Sequence, residues 1–173
     1  MNAPELSRPI RIDSIGEAPR TLSIEADEAE RAALARRFGY VGLDRLAADV
    51  SLSRRGEAIT ARGTLRASLA QSCVATGEAV PEEVEESFSI EFRPQPRVGD
   101  EEIELGEGEL DVVFYDSATV DVGEAVAETL SLAVDLWPRA AGAEDALRKA
   151  GVKSEEEAGP FGALAALRDK LKP

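Results

Sequence analysis

The chain has 173 residues, with 34 Asp and Glu against 20 Lys and Arg, a formal charge of −14, one cysteine and no histidine. That inventory excludes an internal disulfide, a Cys or His metal cluster and every catalytic pair that needs histidine. Apolar residues at 43% supply a core for one domain, aromatics at 5% make it aliphatic, and no run approaches the roughly eighteen apolar residues of a membrane span.

Residues 1–8 read as a flexible start, and Met1–Arg8 lacks a basic and apolar signal layout, so a cytoplasmic location is expected. Ile10–Asp13 and Thr21–Glu25 alternate apolar with polar residues around the turn chemistry of Gly16–Pro19, which predicts two short strands. Asp27 is placed to cap a helix over 28–37, with Ala29, Ala33 and Leu34 inward, Arg36 and Arg37 at its C-terminal dipole and Gly39 ending it. Three alternating runs follow, over 43–53, 58–72 and 82–93. They predict an antiparallel meander in which Arg62 and Arg66 meet Glu83, Glu85 or Glu91. The first connection is the tight Arg54–Glu57, and the second carries Cys73 at the end of its strand.

Pro94 and Pro96 break the third strand, residues 97–109 read as an acidic loop, and Leu110–Tyr115 returns to strand character. Asp121 and Glu124 fit the N-cap and N3 positions of a capping box. Behind them Val122, Val126, Leu130, Ala133 and Trp137 recur at helical spacing, with Leu132, Val134 and Leu136 widening the stripe. This predicts a broadly buried helix over 122–137, stopped by Pro138, with Trp137 as a packing anchor. Residues 140–159 read as a flexible linker with at most one weak helical turn near 144–149. The C-terminal segment 160–173 carries Phe161, Leu164, Leu167 and Leu171 on one helical stripe, and all four lysines lie after residue 148.

Charge is distributed unevenly. Residues 1–79 carry 11 acids and 11 bases, whereas residues 80–116 carry 13 acids against Arg93 and Arg97, a net of −11. A surface of that sign repels nucleic-acid phosphates and attracts basic proteins. The groups for catalysis are few. Cys73 has no histidine to activate it and sits on the inward parity of a strand, as a small buried hydrophobe does. The many carboxylates between Glu82 and Glu109 lack the contrasting environments of an acid/base pair. Gly106-Glu-Gly108 is not followed by the glycine and helix of a pyrophosphate loop. No enzyme activity, cofactor, metal or small-molecule substrate is expected, and no membrane contact.

Three segments resemble one family. The Gln71–Val80 centre, the helix entry Val120-Asp-Val-Gly-Glu-Ala-Val-Ala-Glu128 with its run to Pro138, and the tail Gly159-Pro-Phe-Gly-Ala-Leu-Ala-Ala-Leu167 are similar, in order and spacing, to the YceD family over about residues 55–171. The matching residues are Cys73, Glu78, Asp121, Glu124, Glu128, Pro160, Phe161 and Leu164. The resemblance implies a non-enzymatic role in accumulation of the 23S ribosomal RNA and biogenesis of the large ribosomal subunit. Two departures matter. Many members have two or more cysteines where this chain has Cys73 alone, which excludes a zinc role, and Gly77-Glu78-Ala79 replaces Leu-Glu-Pro, which predicts a looser turn.

The expected architecture is α+β: an antiparallel sheet built on the long hairpin, with two main helices packed on it. Residues 1–139 are the core domain, 140–159 the linker and 160–173 an amphipathic segment. The partner expected is a basic ribosomal protein or a large-subunit assembly intermediate. Its contacts would be Glu82, Glu83, Glu85, Glu101, Glu102 and Glu104, with Phe161, Leu164 and Leu167 as a second, apolar contact. Direct RNA contact through Arg54, Arg55, Arg62 and Arg66 is the alternative, less favoured because glutamates lie on the neighbouring strand.

Overall fold

The computed structural model describes residues 4–96 and 111–152. In chain order the elements are β1 (Pro9–Arg11), a single 3-10 turn (Ile12–Ser14), β2 (Arg20–Glu25), α1 (Glu28–Phe38), β3 (Gly42–Arg55), β4 (Ala58–Ser72), β5 (Ala79–Pro94), β6 (Asp111–Tyr115), β7 (Thr119–Asp121), α2 (Val122–Ala133) and α3 (Ala143–Lys149). They divide into two compact units, Met1–Gln71 with Pro81–Leu136, and Ser72–Val80 with Trp137–Pro173.

The first unit is an α+β body built on the expected meander. Its five-stranded sheet has the order β2-β3-β4-β5-β6, and β1 pairs with β7 in a separate two-stranded ribbon. β3 and β4 run antiparallel from Arg55↔Ala58 at the two-residue turn to Gly42↔Ala70 at the far end. Even-numbered residues of β3 (Leu46, Ala48, Val50, Leu52) and odd-numbered residues of β4 (Ile59, Ala61, Leu65, Ala67, Leu69) are buried, as period-two alternation requires of a half-covered sheet. Leu43 is buried on the wrong parity, and the register shift between Leu43 and Arg45 accounts for it, because one extra residue exchanges the two faces. β6 departs from the meander: it pairs with β5 in parallel, Phe92↔Val113 and Pro94↔Tyr115, so the sheet is mixed. Parallel neighbours cannot be joined by a tight hairpin.

One face of the sheet is covered. Leu34 of α1 and Val122, Val126 and Leu130 of α2 join Leu46, Val50, Leu65 and Phe88 of the strands in one aliphatic core. The residues read as a flexible start belong to it too. Leu6 is fully buried, and its segment is held by partners more than a hundred positions away, which periodicity cannot register. In α1, Asp27 accepts from the Glu30 N–H at 2.8 Å and the Glu30 carboxylate accepts from the Asp27 N–H at 2.9 Å, a complete capping box. Leu34 faces inward as expected, but Ala29, in the first turn, is exposed.

α2 is shorter than its stripe predicts. It ends at Ala133, and Val134 turns to extended backbone (φ −75°, ψ 155°). The 3.6-residue period therefore stops four residues before Pro138, and Leu136 is 73% exposed. Leu132 is 79% exposed because two positions past Leu130 is about 200° around the helix. Trp137 is not a packing anchor: beyond the helix it is 72% exposed.

In the second unit, the connection from β4 to β5 closes as a hydrogen-bonded turn. The Cys73 N–H donates to Glu78 O at 2.7 Å, and the Gly77 N–H donates to Cys73 O at 2.9 Å. Gly77 has φ +76°, a conformation that costs glycine little and other residues more. Gly77-Glu78-Ala79 thus lies in a turn closed by two backbone hydrogen bonds. α3 lies where one weak helical turn was expected, and Ala143 at its start is buried.

Candidate functional site

β5 carries the acidic character of the described chain, and alternation distributes it over two faces. On the open face stand Glu83, Glu85, Ser87, Ser89 and Glu91. Across the ladder to β4 they meet partners in strict antiparallel sequence. Ser68 Oγ donates to Glu83 Oε1 at 2.5 Å, Arg66 Nε to Glu85 Oε1 at 3.1 Å, and Arg62 Nε to Ser89 Oγ at 3.2 Å; the Thr64 and Ser87 hydroxyls meet at 3.2 Å. Arg66 also reaches Asp49 Oδ2 on β3 at 3.7 Å, and Glu91 pairs with Arg93. Pairs this exposed contribute on the order of 0–1 kcal/mol each and help to set register. The expected meeting of Arg66 with Glu85 is present, whereas Arg62 takes a serine in place of a glutamate.

Glu82 has an internal role. Its Oε2 accepts from Gln71 Nε2 at 2.8 Å, and its Oε1 accepts from the Asp135 N–H at 2.9 Å. Gln71 Nε2 also donates to Asp135 O at 2.8 Å. One carboxylate thereby ties β4, β5 and the chain leaving α2. Glu83 and Glu85 remain on the surface. Glu101, Glu102, Glu104, Phe161, Leu164, Leu167 and Pro160 lie outside the described residues.

The arginine side is less basic than its sequence suggests. Arg54 is turned onto backbone carbonyls, Gly56 O at 2.7 Å and Ile12 O at 3.1 Å. Arg66 is matched by Glu85 and Asp49. Arg54, Arg55 and Arg62 line a groove of 740 Å³ on this side, but Glu17 and Glu91 line it too.

The motif residues Asp121 and Glu124 fasten the N-terminal segment and α1 to α2. Asp121 accepts from Ser7 Oγ at 2.6 Å, the Arg8 N–H at 2.8 Å and the Glu124 N–H at 3.1 Å. The return half of the predicted capping box is replaced, because the Glu124 carboxylate is held by Arg37, which also binds Glu5 at 2.9 Å. Between the two acids, a Cβ on Gly123 would stand 2.4 Å from Leu6 O and 2.9 Å from the Arg8 nitrogen. The glycine is what lets the segment lie against the helix. These side chains are partly buried and mutually satisfied, so the motif is a clasp. Glu128, one turn on, is exposed. Sequence reasoning missed the clasp's other half, Glu5, Ser7 and Arg8, for want of any local pattern there.

In the second unit, Cys73 is buried and its Sγ accepts from the Ala140 N–H at 3.3 Å. That N–H, followed by the Thr76 side chain, lowers the thiol to about 7 by stabilising the thiolate. Among the described residues no group of three or more Cys, Asp or Glu is arranged to hold a metal ion, and no helix is long and apolar enough to cross a membrane.

No curated protein and no solved structure matches the chain. The family model described as "Large ribosomal RNA subunit accumulation protein YceD" matches residues 61–168, a stretch that runs from β4 through β5, α2 and α3. The chain therefore belongs to the YceD family, and its role lies in accumulation of the large-subunit ribosomal RNA.

Proposed function

We propose that the chain supports large-subunit assembly in the cytoplasm without catalysing a reaction, by offering an acidic surface to a basic ribosomal protein or to an assembly intermediate that carries one. One observation carries this reading. Glu86, Asp111, Asp116 and Glu128 are exposed, and none of them has an ion pair among the described residues. Unpaired carboxylates on β5, β6, α2 and the β6–β7 connection make a field that draws in cationic proteins and repels phosphate. Glu82 takes no part in this contact, since both its oxygens are engaged internally. Phe161, Leu164 and Leu167 would add an apolar contact to it.

Pull-down with the tagged chain tests the proposal. Basic large-subunit proteins should be recovered at low salt, less at moderate salt, and little with the surface glutamates changed to glutamine. If the recovered partners are neither ribosomal proteins nor assembly factors, or if neutralisation changes nothing, the proposal fails.

A second reading is favoured by the groove that Arg54, Arg55 and Arg62 line. Direct RNA contact there predicts a gel shift of 23S fragments that weakens steeply with salt and is lost in Arg55→Ala/Arg62→Ala.

A further inference from the structure

On β5 the even-numbered side chains belong to the covered face, where Val84, Phe88, Ile90 and Phe92 are buried. Glu86 occupies that same register, between Val84 and Phe88, yet it is exposed. Alternation reserves such a position for an apolar side chain, because a carboxylate there loses its water as soon as anything packs over it. Facing it, α2 turns Leu132 out to solvent while Leu130 is fully buried. Glu86 and Leu132 line one recess of 420 Å³, with Phe88 and Ala133 among its apolar walls and Asp111 on its rim. Asp111 pairs with Ile90 across β5 and β6, so it stands on the same face as Glu86. The recess thus combines an acid at an inward register position, a second acid beside it and an exposed leucine, and among the described residues no Lys or Arg lines it. A further cavity of 240 Å³ beside β6 continues the pattern, with Asp116 and Glu128 in its lining and again no cation among the described residues. The open face differs, since there Arg66 meets Glu85 and Arg93 meets Glu91.

We infer that the recess between α2 and the β5–β6 edge docks a cationic amphipathic protein segment, with an apolar side chain against Leu132 and Lys or Arg beside it on Glu86 and Asp111. An apolar contact ringed by unpaired charge is the arrangement that gives an interface both its anchor and its selectivity. The inference rests on the proposed function and gives its contact a location, at the edge of β5 beside α2 and β6, where Ser87 and Ser89 of the open-face register also line the recess.

The test titrates purified basic large-subunit proteins, one at a time, into the full chain at low and moderate salt, by fluorescence anisotropy. Leu132→Ser and the double variant Glu86→Gln/Asp111→Asn remove the two halves of the recess, and Glu83→Gln/Glu85→Gln is the open-face control. All five positions are exposed, so the variants should fold. Leu132→Ser is expected to weaken binding about tenfold at both salt concentrations. Glu86→Gln/Asp111→Asn should weaken it mostly at low salt, and the control by less than about threefold. If the recess variants bind like the parent chain while the open-face pair loses binding, the inference is overturned and the proposed function stands. If the parent chain binds none of the basic proteins, both fall. If Leu132→Ser converts a dimer into a monomer in sedimentation, the occupant is a second copy and the inference is overturned.

Discussion

Arg37 holds the Glu124 carboxylate with both terminal nitrogens, Nη1 to Oε2 at 2.9 Å and Nη2 to Oε1 at 2.7 Å. The pair joins the last turn of α1 to the first turn of α2, 87 residues apart in sequence. The carboxylate sits at the positive end of one helix dipole and the guanidinium at the negative end of the other, so each is favoured where it lies. Both side chains are partly buried, which strengthens the contact beyond an ordinary surface pair. Arg37→Lys, which keeps the charge and loses the two-pronged geometry, is expected to cost about 1–2 kcal/mol in urea unfolding with an unchanged m-value. Glu124→Gln should cost a similar amount, and the double variant less than the sum. Full additivity would mean that the two residues act separately.

Gly123 gives a prediction of opposite sign to the usual one. Glycine to alanine in a helix ordinarily gains up to about 1 kcal/mol. Here the new Cβ would meet Leu6 O at 2.4 Å, and a backbone carbonyl has little room to move. Gly123→Ala should therefore destabilise the protein by about 1–3 kcal/mol and expose the bonds around Leu6 to protease. A stabilised variant with an unchanged digestion pattern would show that the N-terminal segment does not depend on this approach.

The clasp also sets a pH dependence. Arg8 donates to Glu30 at 2.6 and 2.9 Å and holds that carboxyl below the usual carboxylate range, against the opposing effect of burial. A folded-state value below the unfolded one means that the unfolded chain binds more protons in the interval between them. The contribution to stability is thus complete above the ordinary glutamate value of about 4.3 and is lost as pH falls through the lower, folded value. Urea midpoints measured from pH 6 downward should fall on acidification, and they should fall less in Arg8→Gln. Equal slopes in the two proteins would remove Arg8 as the cause.

Cys73 separates ionisation from reactivity. Its thiol is lowered to about 7 by the Ala140 N–H and then by Thr76, both of which favour the thiolate. The residue is nevertheless only 3% exposed, and an alkylating reagent has to reach the sulfur before its charge matters. Iodoacetamide at pH 7 should modify the native protein far more slowly than the urea-unfolded one. Equal rates would show an open thiol.

What could be read from the sequence follows the range of the interactions. The meander was legible because alternation is a local pattern: Leu46, Ile59 and Phe88 announce their strands within a few residues. The α2 entry was legible through Asp121. The clasp was not, because Ser7, Arg8 and Arg37 find their partners only after the chain has folded, and nothing near them in sequence marks the pairing. The apolar period of residues 122–137 runs past the point where Val134 leaves helical geometry, so it puts Leu136 and Trp137 inside although they face solvent, whereas Leu132 faces solvent from within the helix, about 200° from Leu130. Glu86 shows the converse. By composition it is one of many glutamates in this stretch, and only its register beside Val84 and Phe88 separates it from Glu83 and Glu85. The parallel pairing of β6 could not be read at all, since alternation marks a strand but not its neighbour or direction.

In the function proposed above, an acidic protein contact, not an arginine-lined RNA contact, carries the role in large-subunit RNA accumulation. The most direct measurement is the ratio of 23S to 16S ribosomal RNA in cells lacking the chain, complemented with full-length variants expressed at equal levels. Glu86→Gln/Asp111→Asn is expected to fail to restore the ratio, while Arg55→Ala/Arg62→Ala should restore it as fully as the parent chain. Restoration by the acid variant together with failure of the arginine variant would contradict the proposed function.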